Sequence, residues 1–173
     1  MRKAIAVSSK PWLWAFALSV LGTCLVAPAP AVAQTLNDII AKRAPIENDM
    51  DSVQRAISGS IMLKDKSALP DVEKWLKKNN KKAKDYARYH YLWAVVYYVT
   101  DRPEKVQDAF KAGMDVKNSY DAEFNNLFEM AVEAHDAWSI DPGPLNKVAA
   151  DAAGKWPDNK DLDQVKARLT PTT

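Results

Sequence analysis

The chain is 173 residues long, with 24 Lys+Arg, 22 Asp+Glu, two His and a single Cys. Residues 1–33 contain Arg2, Lys3, Lys10 and Cys24 but no acid, so residues 34–173 carry 21 basic against 22 acidic groups and no thiol. A net charge of −1 gives no electrostatic footprint for nucleic acid, and a cysteine-free segment excludes disulfide frameworks, thiolate metal sites and thiol nucleophiles.

The start of the chain, MRKAIAVSSK, is short and cationic; an apolar stretch over residues 11–27 follows, then the small-x-small run Ala31-Val32-Ala33. That order predicts a secretory signal peptide cleaved after Ala33, with the bacterial periplasm as destination. A permanent anchor is the weaker reading, because the apolar stretch is shorter than the ~20 residues that span a bilayer and Pro28 and Pro30 follow it. A third reading is lipidation at Cys24 in the lipobox-like Leu21-Gly22-Thr23-Cys24, where Thr23 is a poor residue before the modified cysteine. The remaining 140 residues, 34–173, suit a single domain.

From Gln34 onward apolar residues recur at steps of three and four, and no stretch alternates with period two, which predicts helices throughout. Leu36, Ile39, Arg43, Ile46, Met50, Val53 and Ile57 form one stripe running toward Leu63; Pro45 should kink or divide it near Ala44. Gly59 and residues 64–68 close this unit. A short helix is expected over residues 70–78, with Pro70 in its first turn, Val72, Trp75 and Leu76 inward, and Asn79-Asn80 as its stop. Residues 82–100 form the most apolar helix, greasy on nearly every side and therefore central.

Asp101-Arg102-Pro103-Glu104 fits a capping box ahead of a helix bearing Val106, Phe110 and Met114 and ending near Gly113. Ser119 is the expected cap of the next helix, whose inward face is Phe124, Leu127, Phe128, Ala131, His135 and Trp138. Asp141-Pro142-Gly143-Pro144 makes a turn. A helix with Leu145, Val148, Ala152 and Trp156 follows, then Pro157-Asp158-Asn159, a last short helix with Leu162, Val165 and Leu169, and a disordered tail over residues 170–173. About seven helices joined by short loops predict an all-α domain of stacked helical hairpins, a short solenoid or a helical bundle.

Two hairpins, over residues 82–114 and 120–156, look related. Each has an aromatic-rich first helix, a turn beginning with Asp and containing Pro, and a second helix with Lys-Val, at 105–106 and 147–148, an offset of 42 residues. In the first, Trp93-Ala94, Tyr97, Val106, Phe110 and Gly113 fall at spacings that resemble the packing positions of the tetratricopeptide repeat. Trp156-Pro157-Asp158-Asn159 is similar to that family's proline-containing exit. The resemblance covers about half of residues 34–173. It departs from the family in lacking a glycine after Ala94, in the loose fit of Leu145 and Ala149, and in a period other than 34. It implies a protein-binding scaffold with a concave face and no catalysis.

The chemistry-bearing residues are few. His90 and His135 are the only imidazoles. Neither a zinc-ligand set nor the Glu-x-x-His or His-Glu-x-x-His helix surrounds them, so they read as hydrogen-bonded core histidines, with a hydrolase or lytic enzyme using either as general base the alternative. Ser58-Gly59-Ser60 lacks a nucleophile-elbow frame. Glu129, Glu133 and Asp136 share a helix side, as a solvated face does, or as a cation or partner site would. Lys74, Lys77, Lys78, Lys81, Lys82 and Lys84, with Arg88, make the one strong charge feature: a solvated loop, or a patch for lipid headgroups or an acidic partner. With the predicted turn at Asn79-Asn80 between them, these lysines need not share a face.

Residues 34–173 hold four Trp, six Tyr and three Phe, and Tyr86, Tyr89, Tyr91, Tyr97 and Tyr98 crowd one helix, more hydroxyls than so small a core can hide. The expected role is therefore contact with another periplasmic protein or enzyme complex, as a small accessory subunit without cofactor, metal or catalytic residues. The candidate docking residues are Tyr86, Tyr89, His90, Trp93 and Tyr97 beside Lys77, Lys78, Lys81 and Lys82. Self-association through the 36–57 stripe, with Arg43 inward, is a further reading that Pro45 disfavours.

Overall fold

Seven α-helices and one 3-10 turn make up residues 45–169, the part of the chain described by the computed structural model, with no strand among these described residues. The helices are α1 (Pro45–Leu63), α2 (Leu69–Ala83), α3 (Ala87–Val99), α4 (Val106–Met114), α5 (Asp121–Trp138), α6 (Gly143–Lys155) and α7 (Lys160–Ala167), with the turn Pro103–Lys105 ahead of α4. The fold is all-α, as the three-and-four periodicity predicts. The expected leader and cleavage site, the first half of the 36–57 stripe, Arg43 and the expected disordered tail lie outside the described residues.

α1 is described from Pro45, a residue suited to a helix's first turn, where its missing N–H has no intrahelical partner; the expected division near Ala44 lies outside the described residues. Gly59 does not end α1; the helix runs one further turn to Leu63. It closes in a Schellman motif: Lys64 takes φ 52°, its N–H reaches Ile61 O at 3.1 Å and the Asp65 N–H reaches Ser60 O at 2.9 Å. α3 ends the same way around Asp101, φ 59°, with Arg102 N–H on Tyr97 O at 3.0 Å. Asp101 is thus the exit of α3 and not the cap of the next helix, which the chain enters through the 3-10 turn with no side-chain cap. Ser119 does not cap α5; its hydroxyl pairs with the Tyr91 hydroxyl at 2.7 Å, and Tyr120 holds the cap position.

The larger correction concerns α2, which runs through Asn79 and Asn80 to Ala83. Both amides are absorbed locally: Asn79 Nδ2 donates to Trp75 O at 3.0 Å, and Asn80 Oδ1 accepts from the Tyr89 hydroxyl at 3.2 Å. An asparagine whose side chain is satisfied inside a packed helix costs only its modest propensity.

α3 sits in the middle, touching α1, α2, α4 and α5. α4 folds back on α3, α5 lies on α3, α6 lies on α4, and α7 closes over α5 and α6. The core between the hairpins is aromatic. Tyr91, Phe110, Phe124 and Phe128 are fully buried, with Phe124 and Phe128 stacked at 5.3 Å and Phe110 edge-on to both at 5.6 and 5.9 Å. Gly113 is needed here, because a Cβ on it would lie 2.4 Å from Tyr91 Cε1. Burial pushes the Tyr91 phenol up to about 12. Tyr98, also raised by burial, donates to Asp141 O at 2.9 Å and so pins α3 to the turn before α6. α7 is fastened by Asn159, whose Oδ1 caps the Leu162 N–H at 3.2 Å and whose amide exchanges bonds with that of Asn125 at 2.8 and 2.9 Å.

Candidate docking groove

The apolar sequence of α3 leaves one arc of the helix uncovered. Tyr91 and Tyr98 face inward, Tyr89, Leu92 and Val96 are buried, and Tyr86, His90, Trp93 and Tyr97, at steps of four, three and four, stay partly exposed. His90, Trp93 and Tyr97 form the floor of a groove. Trp93 and Tyr97 stack on each other with centroids 5.0 Å apart and planes at 24°. A hollow of about 310 Å³ lies over them, bounded on the α4 side by Lys105, Asp108 and Ala109.

One end of the groove is closed by Arg102, whose guanidinium lies 4.8 Å from the centre of the Tyr97 ring and bonds Glu73 of α2 at 2.5 Å. Lys77 reaches the same carboxylate at 3.3 Å. Burial works against the Glu73 charge, but the hydrogen bonds and charges of Arg102 and Lys77 outweigh it and hold the carboxyl below its ordinary 4.5. At the other end, His90 Nε2–H donates to Lys84 O at 2.7 Å, tying the groove floor to the end of α2. His135 is likewise spent on a carbonyl, its Nδ1–H on Ile140 O at 2.5 Å.

The continuous α2 changes the lysine run. At 3.6 residues per turn, Lys74, Lys77, Lys78, Lys81 and Lys82 fall within an arc of roughly 140°, all exposed, opposite the buried Leu69, Val72, Leu76 and Ala83. Lys77 stands on the groove edge of that arc and shares a hollow with Glu73 and Lys74, Lys81 and Lys74 lie in its middle, and Lys78 and Lys82 on the far side. Arg88 does not belong to this set.

Of the expected docking residues, His90, Trp93 and Tyr97 line the hollow and Lys77 is linked to its Arg102 end through Glu73, while Tyr86, Lys78, Lys81 and Lys82 do not line it. Tyr89 is removed from the surface. It is 4% exposed, its hydroxyl donates to Leu76 O at 3.1 Å, and burial pushes its phenol up. Steps of three and four cannot separate Tyr89 from His90, because the boundary between them is drawn by where α2 lies.

Several polar residues gave no motif. Arg88 lies between α1 and α5, bonded to Asp51 and, at 2.9 Å, to Glu123; burial lowers its pKa, but Glu123 and Asp51 outweigh that and raise it. An arginine inside an otherwise greasy run was the one sequence signal for this hub. Beside it, α1 and α5 border a second hollow of about 600 Å³ containing Arg55, Tyr120 and Glu133, crossed by a Gln54–Asn126 amide bond at 2.6 Å. Glu129 and Asp136 do not stand as a bare acidic face, since Arg168 bonds them at 3.6 and 2.6 Å. Among the described residues, no group of three or more His, Cys, Asp or Glu is arranged to hold a metal ion, and no helix is long and apolar enough to cross a membrane. No family model, curated protein or solved structure matches the chain.

Proposed function

We propose that this chain is an exported, non-catalytic interaction domain, a short stack of helical hairpins of the tetratricopeptide kind. It holds a segment of another periplasmic protein in the groove over α3, serving as a small accessory subunit that stabilises that enzyme or assembly. The apolar leader and its Ala31-Val32-Ala33 site support export. The like-on-like packing of α5 on α3 and α6 on α4 supports the repeat reading.

The observation that carries the proposal is the Trp93–Tyr97 stack, left partly open while Tyr89, Tyr91 and Tyr98 are sealed. Partly exposed Trp and Tyr give large, rigid contact area at small entropic cost, and such residues dominate interface energetics. Lys105 and Lys77 at the rim favour an acidic segment and accelerate its encounter. The test is crosslinking in the periplasm followed by recovery of the tagged protein, with Trp93→Ala/Tyr97→Ala as comparison. A stoichiometric partner held by the parent and lost in a variant of unchanged helicity is the expected result. Recovery of the same partner by the double variant, or of none by the parent, overturns the proposal.

A further inference from the structure

The part of the lysine arc turned away from the groove has a second feature beside it. Met62 and Leu63, each 79% exposed, are the last residues of α1, and five residues of loop separate them from Leu69, the first of α2. Lys74 follows five positions into α2, about 7.5 Å along its axis, so an apolar pair and the start of a cationic helix face stand at the same end of one hairpin. Lys64, exposed, adjoins the pair.

We infer that the α1–α2 hairpin is a membrane-docking surface for anionic lipid: α2 lies along the headgroups through Lys74, Lys78 and Lys82, and Met62 and Leu63 enter the acyl boundary. Charge complementarity supplies the first argument. Removing Lys74, Lys78 and Lys82 from a segment of net charge −1 leaves the remainder at −4, so an anionic plane attracts this face, repels the rest and orients the domain. The identity of the cations supplies the second. The arc holds five lysines, one first-turn carboxylate, Asp71, and no arginine, and lysine is a hydrated point charge suited to a diffuse field of headgroups, whereas bidentate recognition of individual carboxylates or phosphates calls for arginine. The third is the pairing of signals, since a cationic face joined to an apolar insertion gives adsorption that neither gives alone. This surface goes beyond the groove, and the Trp93 and Tyr97 rings take no part in it.

Sedimentation of the chain from Gln34 onward, which retains the whole Ala44–Thr173 unit, with phosphatidylcholine vesicles lacking or containing phosphatidylglycerol tests the assignment. Binding is expected only to the anionic vesicles, falling as salt rises. It should drop about tenfold or more in Lys74→Glu/Lys78→Glu/Lys82→Glu, survive in the matching Lys→Arg variant, and drop similarly in Met62→Ser/Leu63→Ser, while Trp93→Ala/Tyr97→Ala binds as the parent does. Equal binding to both vesicle types, or anionic binding unchanged by the triple Glu variant, overturns it. So does tight binding to polyglutamate that the lysine change abolishes and the Met62/Leu63 change leaves intact, which would assign the face to an acidic macromolecule.

Discussion

At the scale of single residues, the same amino acid plays opposite parts according to what lies around it. Gly59 and Gly113 both sit within helices, but a Cβ on Gly59 meets nothing within 4 Å while one on Gly113 collides with Tyr91. Gly59→Ala should therefore raise stability by about 1 kcal/mol, the helix-propensity difference. Gly113→Ala should lower it by about 1–3 kcal/mol, because the fully buried Tyr91, bonded to Ser119, has nowhere to go. Urea unfolding of the two variants beside the parent measures both; a stabilised Gly113→Ala would show that the aromatic core is looser than drawn. Lys64 and Asp101 make the complementary point. Each takes the left-handed conformation that glycine usually fills, so their helices end by hydrogen bonding and not by composition.

At the scale of elements, the joints between helices are ionic where they reach the surface. Arg88 connects α1, α3 and α5 through Asp51 and Glu123. Truncating it leaves two partly buried carboxylates facing each other, so Arg88→Ala should cost about 2–3 kcal/mol, read as a fall in the denaturant midpoint. Arg88→Ala/Glu123→Gln should recover part of that loss, and its failure to do so would mean that the guanidinium acts by packing alone.

The Arg102–Glu73 latch between α2 and the α3–α4 turn makes a pH-dependent joint. The Glu73 carboxyl is depressed in the folded state, so its contribution is fully present above the ordinary 4.5 and is lost as pH falls through the folded value. The difference in melting temperature between parent and Glu73→Gln should be positive at neutral pH and shrink as the pH falls below the ordinary 4.5. A difference that stays constant with pH would remove the latch from the list of stabilising contacts.

At the scale of the described residues together, the two outward surfaces belong to different helices, and a different partner is proposed for each. The groove is concave and floored by rings, and the lysine arc is convex and preceded by an apolar tip. Substitutions at Trp93 and Tyr97 should leave vesicle binding untouched, and substitutions at Lys74, Lys78 and Lys82 should leave protein capture untouched, which makes the two proposals separable.

Periodicity alone determined that this is an all-α protein with helices near these positions, because burial of one face at 3.6 residues per turn is written into the order of apolar residues. It also located the aromatic cluster of Tyr86, Tyr89, His90, Trp93 and Tyr97 on and just before α3, without separating Tyr89 from the rest. Only the tertiary structure decided which of the five tyrosines over residues 86–98 remain open, since α2 covers Tyr89 and the α4 and α5 packing covers Tyr91 and Tyr98. It alone carried α2 through Asn79 and Asn80, where bonds to Trp75 and Tyr89 replace the water that would otherwise favour a turn. That continuity turns scattered lysines into a face. A local pattern records which residues prefer to be buried; the neighbour that buries them, and the polar group that answers theirs, lies tens of residues away along the chain.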